Sequence, residues 1–253
     1  RRTAPLPRAP TGGTERGCKP TPPCFTGDSL RSMTRSARAR QRLPVVGTTP
    51  PVNTTFADRS PPERQEWVRQ MNDLIRPMVA QERALRHAQR VARLVLVGSW
   101  ARPDAKRRLL LEHWRELARS GAPLLALVRE RLLWTLADET LEQQDLIDSL
   151  VAFFTRDEPP LTPDVFARQC EACLGHDSAD RLRWLRAPTL VICGRHDQLA
   201  PPKFSRELAD EIPDAHLVTI QNGGHVVMVE AVERFNRLVV GFLEDERPAA
   251  SAR

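Results

Sequence analysis

Two side chains in the C-terminal third of the chain, Asp197 and His225, are the residues whose types and spacing best suit chemistry. A carboxylate beside an imidazole can orient the ring and stabilise its charged form, while the ring takes a proton and returns it near neutral pH. Either residue alone is ordinary, because an Asp can cap a helix and a His can sit in a turn. What raises their interest is where the pattern places them.

Thr189-Leu190-Val191-Ile192 is a short apolar, β-branched run that Gly194 ends, and Asp197 follows directly. Pro201-Pro202 then opens a helical stretch to Ile212, Pro213-Asp214 turn the chain, and Leu217-Val218-Thr219-Ile220 form a second apolar run before Gly223-Gly224-His225. The two runs read as neighbouring buried strands of a parallel sheet. The acid and the imidazole would then leave the sheet at the same rim, and in open α/β sheets ligands bind in the crevice outside the carboxyl ends of the strands.

The order strand, G-x-x-D, P-P, helix, strand, G-G-H, helix resembles the C-terminal part of the α/β-hydrolase family, of its capped serine esterase or lactonase type. A second stretch resembles the same family: Met78 to Arg90 looks like the helix after its nucleophile, and Arg93 to Val97 like the strand that follows, closed by Gly98-Ser99. The resemblance covers about residues 78–245 and implies the last three strands of the family's parallel sheet. It also implies that Asp197 is the triad acid and His225 the general base and then general acid, acting on a small carboxylic ester or lactone. No cofactor and no metal are expected.

The third triad member is missing from the pattern. A nucleophile elbow, G-x-S-x-G, ends a strand just before that helix, because only a tight turn with glycines presents the serine oxygen. Counting back from Met78, the elbow falls on Asn72-Asp73-Leu74-Ile75-Arg76-Pro77, with Leu74 at the serine position and neither glycine present. Ser99, at the end of its strand, is the remaining hydroxyl of interest, although no glycine turn exposes it. The expectation is therefore a family member whose activity is in doubt, or a truncated, catalytically inactive interaction protein. In the latter, the sixth family strand would lack its neighbour and offer an open edge for self-association.

The organisation expected is a basic Pro/Arg-rich segment without fixed structure (1–60), helices and a strand of hydrolase core (61–99), a helical cap (100–187), the C-terminal core (188–245) and a tail (246–253). Within 61–99, Ser60 is a candidate N-cap, and one helix runs to a break at Pro77 before a second ends near Arg90. Within 1–60, nine prolines and little apolar periodicity leave too little to bury against the entropy of ordering. Its only strand-like piece is the interrupted Leu43-Pro44-Val45-Val46. The chain begins without methionine, so either an N-terminal loss or a frame or assembly artefact over 1–77 is expected.

Leu109, Leu110, Trp114 and Leu117, then Leu124, Leu127, Val128, Leu132 and Leu136, then Leu146, Leu150, Phe153 and Phe154 recur at helical spacing through the cap. Trp100, Trp114, Trp134 and Phe153 could line its roof over the site, or be plain core. Cys170-x-x-Cys173-x-x-His176 has part of a metal-site spacing, but both cysteines fall in a helix and no second pair completes four ligands, so buried thiols are the better account.

Residues 1–60 hold eleven basic residues against three acids, more than the whole chain's net charge of +6, so the remainder is slightly acidic. A nucleic-acid groove is therefore not expected in the folded part, and no aromatic residues alternate with the arginines of 1–60 as single-strand binding requires. An odd number of scattered cysteines, five, argues against a disulfide framework and for a reducing, cytoplasmic setting. No membrane span and no export signal are visible.

Overall fold

The computed structural model describes residues 43–46, 74–156 and 161–244. Its elements in chain order are β1 (Leu43–Val46), α1 (Arg76–Arg86), β2 (Val91–Val97), α2 (Ala105–Arg119), α3 (Leu124–Thr135), α4 (Asp138–Leu141) and α5 (Gln144–Phe154). They continue with α6 (Pro163–Gly175), β3 (Thr189–Gly194), α7 (Pro202–Glu211), β4 (Ala215–Ile220), α8 (Val227–Glu230) and α9 (Val232–Glu244). The expected helix from 61 to 73, the Ser60 cap, the rest of the basic segment and the tail beyond 244 lie outside the described residues.

The four strands form one sheet in the order β1-β2-β3-β4, and every neighbouring pair is parallel. Successive side chains of β2 go to opposite faces, as pleating requires. Val95 and Val97 join Leu190, Ile192, Phe235 and Val239 beneath α9, while Leu94 and Leu96 join Val191, Ala80, Ala84 and Leu208 beneath α1 and α7. All six residues of β3 are buried, which is why that run is apolar without alternation.

One sequence expectation is overturned. Leu43–Val46, read as an interrupted piece of a structureless segment, is strand β1, and it pairs with β2 through Leu43↔Val91, Val45↔Leu94 and Val46↔Val95. The register shifts between Leu43 and Val45, across Pro44, which has no N–H for a ladder bond. A proline is tolerated there because β1 is an edge strand among the described residues. The edge of β2 that was expected to stand open is therefore occupied.

Helix limits also move for local reasons. The helix expected to begin at Pro77 is α1, with the proline in its first turn, where the missing N–H costs nothing, while the helix expected before it lies outside the described residues. α1 ends at Arg86, short of Arg90, and a separate turn of 3-10 helix spans Ala88–Arg90. Asp104 and Thr162 cap α2 and α6 by accepting from the amides of Arg107 and Val165. Gly121, at φ +77°, lets the chain turn out of α2. α4 and α5 are separated at Glu142–Gln143, and α8 and α9 at Ala231.

The cap helices α2 and α6 share a core with α7: Trp114 against Phe166 at 5.6 Å between ring centroids, and Trp100 against Phe204 at 6.1 Å. Trp100 and Trp114 are essentially inaccessible, so they are interior packing and not a roof lining. Trp134 stays partly exposed and gives its indole N–H to Glu130.

Leu96 lies in the central strand β2 and is fully buried between α1 and α7. Leu96→Ala is expected to cost about 2–5 kcal/mol of stability through lost burial and a residual cavity. A urea titration followed by circular dichroism would show this as a lowered midpoint with an unchanged slope.

Candidate active site

The carboxyl ends of β2, β3 and β4 converge, and each ends in glycine-bearing turns that permit close backbone approach. A Cβ on Gly194 would stand 2.1 Å and 2.2 Å from the carbonyl oxygens of Gly224 and Gly223, so the two loops after β3 and β4 touch backbone to backbone. Three amides fix the first loop: Arg195 donates to the Ile220 carbonyl at 2.8 Å, His196 to Gly223 at 3.0 Å and Asp197 to Gly194 at 3.3 Å.

Asp197 emerges from that loop with its side chain fully buried. Its Oδ1 accepts from the Ala200 amide at 2.7 Å, and its Oδ2 accepts from Nδ1 of His225 at 2.9 Å. The two residues expected at one rim of the sheet thus meet in the geometry, whereas Asp197 does not cap the following helix: its Oδ1 ties the turn at Ala200, and α7 begins at Pro202 with no side-chain cap. A carboxylate only accepts, so the Nδ1 proton faces it and Nε2 is the ring nitrogen left for other work. Among the described residues the imidazole has no hydrogen-bond partner except Asp197.

The floor beneath the ring is Gly98, the residue directly after β2. Its φ is +54°, and a Cβ there would lie 2.7 Å from Cε1 and 2.8 Å from Nδ1 of His225. A glycine is needed at this position on two counts, backbone sign and space, whereas the sequence marks it only as the end of a strand. Arg107, a cap residue buried against Phe204, donates to the Gln198 carbonyl at 2.9 Å and so braces the acid loop from the cap side. Asp104 completes this brace by accepting from Arg107 and from Lys203 at 2.6 Å.

Ser99, the other candidate, is next to the site but turned into the protein. It is fully buried, and its hydroxyl accepts from Nε2 of Gln81 at 2.8 Å. Gln81 also donates to the Trp100 carbonyl and accepts from Ser178, a closed set of bonds that ties α1 to the segment after β2. Leu74, at the position where the elbow was expected, is buried in the same core as Met78 and Trp100.

The cysteine and histidine group of α6 does not converge on a common point. Cys173 faces the Leu74 carbonyl and the Met78 sulfur, while burial pushes the Cys170 thiol up to about 12, so it is held as the thiol. Among the described residues no cluster of three or more His, Cys, Asp or Glu is arranged to hold a metal ion. Nor is any described helix long and apolar enough to cross a membrane. His176 is buried with no partner on Nε2. Burial lowers its pKa, opposed by the nearby Glu82 and Asp177 carboxylates and reinforced by Arg181.

Comparison with known proteins agrees with this frame. The family model described as alpha/beta hydrolase fold matches residues 78–232. The chain belongs to the α/β-hydrolase family. It is similar to a protein of Serratia proteamaculans (strain 568) named as the carbamate hydrolase RutD, at 30% identity over 171 residues, covering 66% of this chain and 61% of that one. It is also similar to the 2-hydroxymuconate semialdehyde hydrolase of Pseudomonas putida, at 32% identity over 167 residues, covering 64% and 57%. Among solved structures, MGS-M2, an alpha/beta hydrolase enzyme from a Medee basin deep-sea metagenome library, superposes with a TM-score of 0.62 at 20% identity. That match covers 83% of this chain and 80% of that one and speaks for the fold. The chain spans about 60% of the length of the curated relatives it matches.

Two measurements follow from this geometry. Gly98→Ala is expected to lower stability by about 1–2 kcal/mol from the left-handed backbone alone, and more from displacing the imidazole, read as a fall in melting temperature. The second concerns pH. Above the ordinary histidine value of 6.5, His176 is neutral in both folded and unfolded chains and contributes nothing. Below it the unfolded chain takes up a proton that the folded chain refuses, so stability falls as pH drops from 6.5 toward the lowered folded value. The Arg181 hydrogen bond holds Glu82 below 4.5, so that contribution is lost only at more acid pH. Melting curves of the native chain and His176→Asn should diverge between pH 7.5 and 5, with the variant losing less.

Proposed function

We propose that this chain is a hydrolase of a small carboxylic ester or lactone, working by acyl transfer of the Ser-His-Asp type, to which Asp197 and His225 contribute the acid and the base. The observation that carries the reading is the 2.9 Å bond from His225 Nδ1 to a buried carboxylate at the carboxyl rim of a parallel sheet. Asp197 keeps the proton on Nδ1, which leaves Nε2 basic. From Nε2 the ring accepts the proton of an attacking hydroxyl and returns it to the departing alkoxide. The buried side of the pair, with Asp197 inaccessible, strengthens that interaction over what water would allow.

Ser99 is committed to Gln81, and Leu74 cannot attack a carbonyl. Triad members act as a unit, so a chain with only two of them retains little rate. A second reading, favoured by the buried Leu74, is a catalytically inactive, hydrolase-like interaction protein that keeps the cap and the sheet as scaffold.

Turnover of p-nitrophenyl acetate separates the two. Under the hydrolase reading the native chain turns the ester over, and Asp197→Asn and His225→Ala each lose about 100-fold or more. Equal turnover by the native chain and both variants would make the pair structural. No turnover above buffer would leave the inactive scaffold.

A further inference from the structure

The histidine loop is held by the cap as well as by the acid. Helix α3 ends at Thr135, and the extended residues Leu136 and Ala137 lead into α4. This short connection lies directly against the loop after β4: a Cβ on Gly224 would stand 2.7 Å from the Ala137 nitrogen, 2.8 Å from the Leu136 carbonyl carbon and 2.9 Å from the Thr135 oxygen. The Thr135 carbonyl accepts from the amides of His225 at 2.9 Å and Val226 at 3.3 Å. Glu230, the last residue of α8, closes the arrangement. Its Oε1 accepts from the Ala137 amide at 2.7 Å and its Oε2 from the Gly224 amide at 2.6 Å.

We propose that Glu230 is a positioning residue for His225: its carboxylate clamps the Thr135–Ala137 connection of the cap to the Gly224–His225 backbone, so that cap and imidazole move as one body. The proposal rests on the reading of His225 as the general base. Both donors are backbone N–H groups from segments far apart in sequence, and only a carboxylate offers each of them an oxygen acceptor. A glutamine offers one oxygen and a second group that itself donates. Charge makes both bonds stronger than neutral ones, and the apolar packing of Leu136 against Val226 and Val229 surrounds them. With Nδ1 fixed on Asp197 and the backbone fixed on the cap, the ring is determined at both ends. A cap displaced by a bulky acyl group would carry His225 with it.

The test reads the ring as well as the rate. In proton NMR of the native chain, the Nδ1 proton of His225 facing Asp197 is expected as a downfield resonance that Asp197→Asn abolishes. Glu230→Gln should broaden that resonance and speed hydrogen exchange at the Gly224 and Ala137 amides, while the ring protons of the buried His176 keep their native shifts. Where ester turnover is measurable, kcat should fall about 10-fold or more with KM little changed, because a small misplacement of a catalytic group is costly. Glu230→Asp, which keeps the charge on a shorter arm, should give the same broadening and serves if the glutamine variant does not fold. A native-like, sharp resonance and native exchange in a folded Glu230 variant would overturn the proposal. A native chain without esterase activity would count against the hydrolase reading alone, leaving the resonance and exchange to decide the role of Glu230.

Discussion

The constraint on which the site depends is the close approach of backbones at the carboxyl rim of the sheet. Gly98, Gly194, Gly223 and Gly224 let the ends of β2, β3 and β4 and the connection after α3 converge to distances that a Cβ would prevent. Without that approach the Asp197 carboxylate and the His225 ring could not be held 2.9 Å apart with one face of the ring against Gly98. Side-chain chemistry here is secured mainly by backbone amides and carbonyls, whose ordering cost is already met by folding the strands and turns that carry them.

The cap is structurally part of the site and not a separate roof. Arg107 braces the acid loop through the Gln198 carbonyl, and Thr135, Ala137 and Glu230 brace the histidine loop. The large cap aromatics serve a different purpose: Trp100 and Trp114 fill the core between α2, α6 and α7. Aromatic side chains at helical spacing have this role far more often than a substrate-lining one, since their large area makes them the natural filling between helices.

Much of this was legible in the residues. The apolar runs before Asp197 and before Gly223 are strands, and their order placed the acid and the imidazole at one rim. Strand β1 was not legible, because four residues interrupted by Pro44 carry too little periodicity; it is a strand only because β2 offers it a ladder. The start of α1 beside Pro77 was legible, but not its end: the helical pattern runs on to Arg90, while the chain leaves the α-helix at Arg86 for a separate turn of 3-10 helix. Ser99 looked available from its place after a strand, and only the three-dimensional position of Gln81, eighteen residues away, commits it.

What the sequence by itself determined is the inventory and the order: which side chains can accept or donate, which runs are apolar enough to be buried, and that acid and histidine follow successive strands. Tertiary structure alone decided the pairings. That Glu230 holds the amide of Ala137, that Gly98 is the floor of the imidazole, and that Trp100 is core all depend on segments tens of residues apart being packed together. Local propensity and periodicity act over a few residues, whereas hydrogen-bond partners and close contacts are set by where the packed sheet and helices bring distant backbones.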